Sequence, residues 1–98
     1  MTVSAEERRH TAVAPDPAEA ALIARARQQD TAAWEQLVRA HEEHVFRLAY
    51  LVLRDGPAAQ DAAQETFVRA YLALARFDET RPLRPWLTRI AVNQARNR

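Results

Sequence analysis

Cysteine is absent from this 98-residue chain. That removes disulfides and thiolate metal sites, and it fits a reducing compartment such as the cytoplasm. Glycine occurs once, at Gly56, and β-branched residues are sparse, which argues against a sheet protein. Lysine is missing altogether, so all 14 basic residues are arginines. No run of about 18 apolar residues exists, so no helix of this sequence is expected to cross a membrane. The first ten residues, Met1 to His10, include Glu6, Glu7, Arg8 and Arg9. They lack the apolar stretch of a secretory signal, and none is expected.

Hydrophobic residues make up 48% of the chain, and many of them are alanine, the strongest helix former. The expected fold is all-α: a compact bundle of about four helices behind a mobile N-terminal tail. Residues 1–15 read as the tail, being charged and without apolar periodicity. Residues 16–98 read as one helical domain, a length that supports a single core.

Asp16-Pro17 predicts a helix start, with Asp as N-cap and Pro at the first helical position. That helix should fade near Gln29, and Asp30 or Thr31 should cap the next. From about Ala32 to Arg54, Trp34, Leu37, Val38, Val45, Leu48, Ala49 and Val52 recur at three- and four-residue steps. The polar interval Arg39 to His44 is a point where this helix could break in two. Gly56-Pro57 reads as its terminator. A third helix, about Ala58 to Arg76, carries an apolar seam of Ala63, Phe67, Ala70 and Leu74 leading to Phe77. Phe77 to Pro85 reads as a loop, and a last helix begins near Pro85.

Charge is uneven along the chain. Residues 1–66 hold seven arginines against eleven acidic residues, whereas residues 67–98 hold seven arginines against two. The formal total is only +1, but such asymmetry hints at contact with nucleic acid. Two clusters give the split a form. Asp61, Gln64 and Glu65 stand at i, i+3 and i+4 and share one helix face, away from the apolar seam. Glu65 and Arg69 form an i, i+4 pair, so ordinary helix decoration also accounts for them. In the last helix, with Arg89 set at 0°, Asn93 falls at about 40°, Asn97 at about 80° and Arg96 at about 340°. Leu87, Ile90, Ala91 and Ala95 take the other side. Arginine suits phosphates and base edges, and asparagine can bind a base edge with two bonds. Trp86 reads as a core anchor rather than a stacking platform.

Other chemistry is not supported. No nucleophile–base constellation accompanies Asp61 and Glu65, so no enzyme is expected. His41 and His44 lie three apart without a third ligand; they read as exposed histidines, and neither metal nor cofactor is expected. A homeodomain would place its Trp three residues before the Asn, whereas Trp86 and Asn93 are seven apart.

Asp61-x-x-Gln64-Glu65-Thr66-Phe67, then Arg76-Phe77, then Trp86-Leu87-x-Arg89-Ile90-Ala91-x-Asn93 form an ordered pattern. In that order and spacing, residues from about Ala32 to Arg98 resemble region 2 of bacterial sigma factors of the extracytoplasmic-function (ECF) group. The resemblance implies transcription initiation without enzymatic activity. It implies that Asp61, Gln64, Glu65 and, more weakly, Arg69 bind the clamp helices of the RNA polymerase β′ subunit. The loop before the last helix (Asp78, Glu79, Thr80, Arg81, Arg84) and Asn93 would receive a flipped base of the promoter −10 element, on the non-template strand. Arg89 and Arg96 would hold its phosphates. An anti-sigma factor is a candidate partner on the same ground, and no membrane partner is implied. The loop carries Pro82 and Pro85 where family loops often carry glycine, so no base preference is implied. The usual second domain, which reads the −35 element, has no counterpart within these residues, and the segment 16–29 receives no role. The alternatives are a non-sigma helical DNA-binding domain, or a protein-interaction module whose basic helix is merely solvated.

Overall fold

A computed structural model describes residues 14–98. Most of the segment expected to be a tail therefore lies outside the described residues. Four α-helices follow in order: α1 (Pro17–Ala26), α2 (Thr31–Leu53), α3 (Gly56–Ala73) and α4 (Leu83–Arg96), with a 3₁₀ turn at Leu74–Arg76 after α3. Helices α2, α3 and α4 pack against one another, and α1 lies along α2. Among the described residues there is no strand, and no helix is long and apolar enough to cross a membrane.

Aspartate starts three of the four helices. Asp16 Oδ2 accepts from the amides of Ala18 at 3.0 Å and Glu19 at 3.2 Å, Asp30 Oδ1 from Ala33 at 3.1 Å, and Asp55 Oδ2 from Ala58 at 2.8 Å. Each satisfies an amide that the helix leaves without an internal partner. Helix α1 closes with Gln29 in the left-handed region at φ 73°. Gln29 N donates to Ala26 O, and Asp30 N to Arg25 O at 3.1 Å, which is the double bond of a Schellman ending. Asp30 therefore ends one helix and caps the next. Its carboxyl is held below the usual range, first by the Ala33 amide and then by Arg25.

Three expectations change. Helix α2 runs unbroken for 23 residues through the polar interval, because Leu37, His41 and Val45 keep one face buried across it. Gly56-Pro57 does not terminate α2. Arg54 takes the left-handed turn at φ 54°, Asp55 caps α3, and Gly56-Pro57 forms its first turn. Pro85 is not loop either: α4 begins at Leu83, and a proline so near a helix start removes only an amide that would lack a partner anyway.

The core follows the apolar stripes. Leu37 and Val45 of α2, Ala63, Phe67 and Ala70 of α3, Leu74, Phe77, and Leu83, Leu87 and Ala91 of α4 form one buried cluster with Ile23 and Ala26 of α1. A second, alanine-rich cluster joins Ala49, Ala59, Ala62 and Ala95 where α3 begins and α4 ends. Small side chains there let three helices approach closely without a void. Thr66 is buried as well, its hydroxyl donating to Ala62 O at 2.8 Å, which satisfies it within its own helix. Trp86 packs half-buried on this core, its ring 4.8 Å from that of Phe77.

Candidate polymerase and nucleic-acid interfaces

On α3 the seam Ala63, Phe67, Ala70 faces inward. Asp61, Gln64 and Arg69 are thereby exposed and Glu65 half-buried. Glu65 Oε2 accepts from Arg69 Nε at 3.1 Å, so the two act as one neutral unit until a partner competes. Asp61 lies 3.5 Å from the Arg98 guanidinium beyond the end of α4. Gln64 borders a groove of about 530 Å³ between α2 and α3, together with Gln60, Glu42, Glu43 and the apolar Val38, Phe46 and Phe67. The acid/amide face is therefore broader than α3. Glu42 and Glu43 belong to it, and only the helix packing brings them there. Their acids, about one turn from Phe46 and Val38, were the available sequence signal.

Helix α4 obeys its helical wheel. Leu83, Leu87, Ala91 and Ala95 are buried, while Arg89, Asn93, Arg96 and Asn97 are exposed. Among the described residues Arg89 and Arg96 form no ion pair, so both charges face outward uncompensated. Asn93 lines a shallow groove of about 470 Å³ between α3 and α4, with Arg69, Arg76, Leu72 and Gln94. Arg69 of α3 and Arg76 of the 3₁₀ turn thus flank the asparagine of α4. Arg76 was not among the expected site residues; its seven-residue step from Arg69, two helical turns, was the signal for a shared face. Arg69 touches both candidate surfaces.

The loop Phe77–Pro82 is ordered from within. Asp78 Oδ1 accepts from the Thr80 hydroxyl at 2.6 Å and from its amide at 3.0 Å. Arg81 Nε stands 3.5 Å from Asp78 Oδ2. The Thr80 bonds, and then Arg81, hold the Asp78 carboxyl below the usual range, so it stays ionised as the hub of this turn. Asp78, Glu79, Thr80 and Arg81 are all exposed.

Arg84 stands apart from that group. Its Nε donates to His41 Nδ1 at 3.3 Å and its Nη2 to Ala40 O at 3.4 Å, turning the guanidinium back toward α2. The expectation of exposed histidines fails here. His41 is only 5% exposed, and its Nε2–H donates to Glu19 Oε1 at 2.8 Å. A buried imidazole needs a partner on each nitrogen, and α1 and α4 supply them. His44 is half-buried, with Nε2 2.9 Å from Thr88 Oγ1. Among the described residues no cluster of three His, Cys, Asp or Glu side chains could hold a metal.

Residues 37–98 match the family described as Sigma-70 region 2. The chain belongs to the sigma-70 region 2 family. This sigma region 2 domain is 37% identical over 76 residues to the RNA polymerase sigma-H factor of Pseudomonas aeruginosa, covering 78% of this chain and 39% of that protein. It is 35% identical over 71 residues to the ECF RNA polymerase sigma factor SigW of Bacillus subtilis, covering 72% of this chain and 38% of that one. The domain thus spans about two fifths of the length of these relatives. Its backbone superimposes with a TM-score of 0.76 and 37% identity on an engineered region 2 of sigmaE solved by NMR in complex with GTAAAA. That match covers 81% of this chain and 82% of the other.

Proposed function

We propose that this sigma region 2 domain acts in transcription initiation, joining RNA polymerase core to melted promoter DNA. Residues 16–98 work as one unit in this reading. Asp61, Gln64 and Glu65 dock on the clamp helices of the β′ subunit, widened by Glu42 and Glu43 across the groove. The loop Asp78–Arg81 and Asn93 receive an unstacked base of the −10 non-template strand, and Arg89, Arg96 and Arg76 hold its phosphates. The work is cytoplasmic and involves no catalysis by the domain. An anti-sigma factor would compete for the same surfaces.

The observation that supports this most is the uncompensated Arg89–Asn93–Arg96 stripe beside the α3–α4 groove. A single strand needs fixed cations along its backbone and a polar edge to meet an extruded base. Both requirements fall on one exposed face, next to an ordered loop. The likeness to a region 2 solved with GTAAAA supports the same ligand class.

The test is single-strand selection. The domain is offered a randomised, fluorescently labelled decamer library, and affinity for the selected strand is measured by anisotropy. Arg89→Ala with Asn93→Ala should weaken binding at least tenfold and reduce its salt dependence. Equal binding by the double variant would remove the DNA role from α4.

A further inference from the structure

Helix α1 received no role from the sequence, and it lies wholly outside residues 37–98 that match the family. Yet it makes the contacts that fix the promoter-facing loop at both ends. At the start of the loop, Arg27 Nη1 donates to Phe77 O at 2.8 Å and Nη2 to Ala75 O at 3.0 Å. These carbonyls end the 3₁₀ turn, where a cation is favoured. At the far end, Glu19 Oε2 accepts from the Leu83 amide at 3.1 Å. Leu83 opens α4 behind Pro82, which offers no capping side chain. Glu19 therefore caps α4 from a helix 64 residues earlier in the chain. Its other oxygen holds His41, which in turn accepts from Arg84 in the first turn of α4.

Glu19 lies in α1 and Arg27 caps its C-terminal end; they are eight residues apart, about 12 Å along a helix. One rigid rod thus sets the distance between the two ends of the loop. Between those ends, the side-chain bonds within Phe77–Pro82 all converge on Asp78. They shape the turn but do not anchor it to the bundle.

We propose that α1 is a positioning element for promoter DNA, with Glu19 and Arg27 holding the loop 77–82 and the start of α4 in the geometry that receives the strand. Neither residue contacts DNA. Both act through the loop and through Arg89 and Asn93 on α4. The proposal rests on the DNA-binding reading given above.

The experiment uses the full chain and the labelled strand selected by the wild type. Glu19→Ala and Arg27→Met should each weaken binding about tenfold, the factor that one lost charge-assisted hydrogen bond gives. Glu19→Gln keeps a carbonyl oxygen for the Leu83 amide but turns its NH2 toward the His41 Nε2–H, so it should recover part of the affinity that Glu19→Ala loses. Asp55→Ala, which removes the α3 cap, lowers stability without touching the loop and should bind as wild type does. Amide hydrogen exchange at Leu83 should quicken in Glu19→Ala and stay slow in Glu19→Gln and Asp55→Ala. Undiminished binding by both Glu19→Ala and Arg27→Met overturns the proposal while leaving DNA binding itself intact. The same holds if Asp55→Ala loses as much affinity as they do. If the wild type selects no strand at all, the DNA-binding reading fails, and the positioning role with it.

Discussion

Replacing Glu65 with Ala should separate docking from folding. Glu65 makes one ion pair, with Arg69 at 3.1 Å, and the two side chains are 43% and 57% exposed. An i, i+4 pair that open to water is worth about 0.2–0.5 kcal/mol, less at physiological salt. Ala gains slightly in helix propensity, offsetting part of the loss. For a domain of this size, such a change moves Tm by no more than about 4 °C. At a docked interface the balance differs. Truncating a desolvated carboxylate leaves its cationic partner unpaired and costs about 2–5 kcal/mol, at least thirtyfold in Kd. The assay pairs thermal melts by circular dichroism with titration of a β′ clamp-helix fragment at about 150 mM salt, where screened surface charge contributes little. Thirtyfold weaker binding with a nearly unchanged Tm is expected. Affinity within twofold of wild type would refute the assignment of this face to polymerase, as would an affinity loss that only tracks unfolding.

Further variants probe the scaffold. A Cβ at Gly56 meets nothing within 4 Å and its φ is not positive. Gly56 is nevertheless helical and is followed by Pro57, whose Cδ crowds a Cβ in that conformation, so Gly56→Ala should give no gain in stability, read as a urea midpoint no higher than that of wild type. Leu87 is fully buried at 0% exposure, and Leu87→Ala should cost about 2–5 kcal/mol, a large share of a small domain's total. Unchanged urea stability would contradict the packing of α4. His44 is held below its ordinary 6.5 by burial first, then by the charges of Arg84, His41 and Arg47. The unfolded chain then takes up the proton before the folded one, so stability falls as pH drops through 6.5 toward the lowered folded value. His44→Gln should flatten the Tm-versus-pH slope between about pH 7.5 and 5.5; an identical slope would count against this cause.

Much of the fold was legible because its signals are local. Asp16-Pro17 and Asp30 mark helix starts by side-chain chemistry that acts within three residues. The α3 seam from Ala63 to Leu74 and the α4 wheel report burial through periodicity alone. Failures occurred where two signals overlap or where a partner is distant in sequence. Arg54-Asp55-Gly56-Pro57 holds a stop and a start in adjacent residues, so Gly and Pro looked like the end of α2 when they open α3. Pro85 looked like a breaker because its tolerance depends on where α4 begins, and Glu19 fixes that point from the far end of the chain.

The site divides in the same way. Asp61, Gln64 and Glu65 on α3, and Arg89, Asn93 and Arg96 on α4, were each readable as one face of one helix. Glu42 and Glu43 beside Gln64, and Arg76 beside Asn93, were not, since each pairing crosses two helices. His41 was expected to be exposed, although it lies four residues from both Leu37 and Val45 on the face that is buried. Its acceptor on α1 and its donor on α4 could be identified only from the packed bundle.

In the proposed reading, two partners occupy two faces of one small domain. Amide chemical-shift mapping of the labelled chain distinguishes the two faces, by titration first with the β′ clamp-helix fragment and then with the selected single strand. The first ligand should perturb amides around Asp61–Arg69 and Glu42–Glu43. The second should perturb Asp78–Arg81 and Arg89–Asn97, with both ligands bound together at saturation. Mutually exclusive binding, or both ligands shifting the same amides of α4, would contradict it.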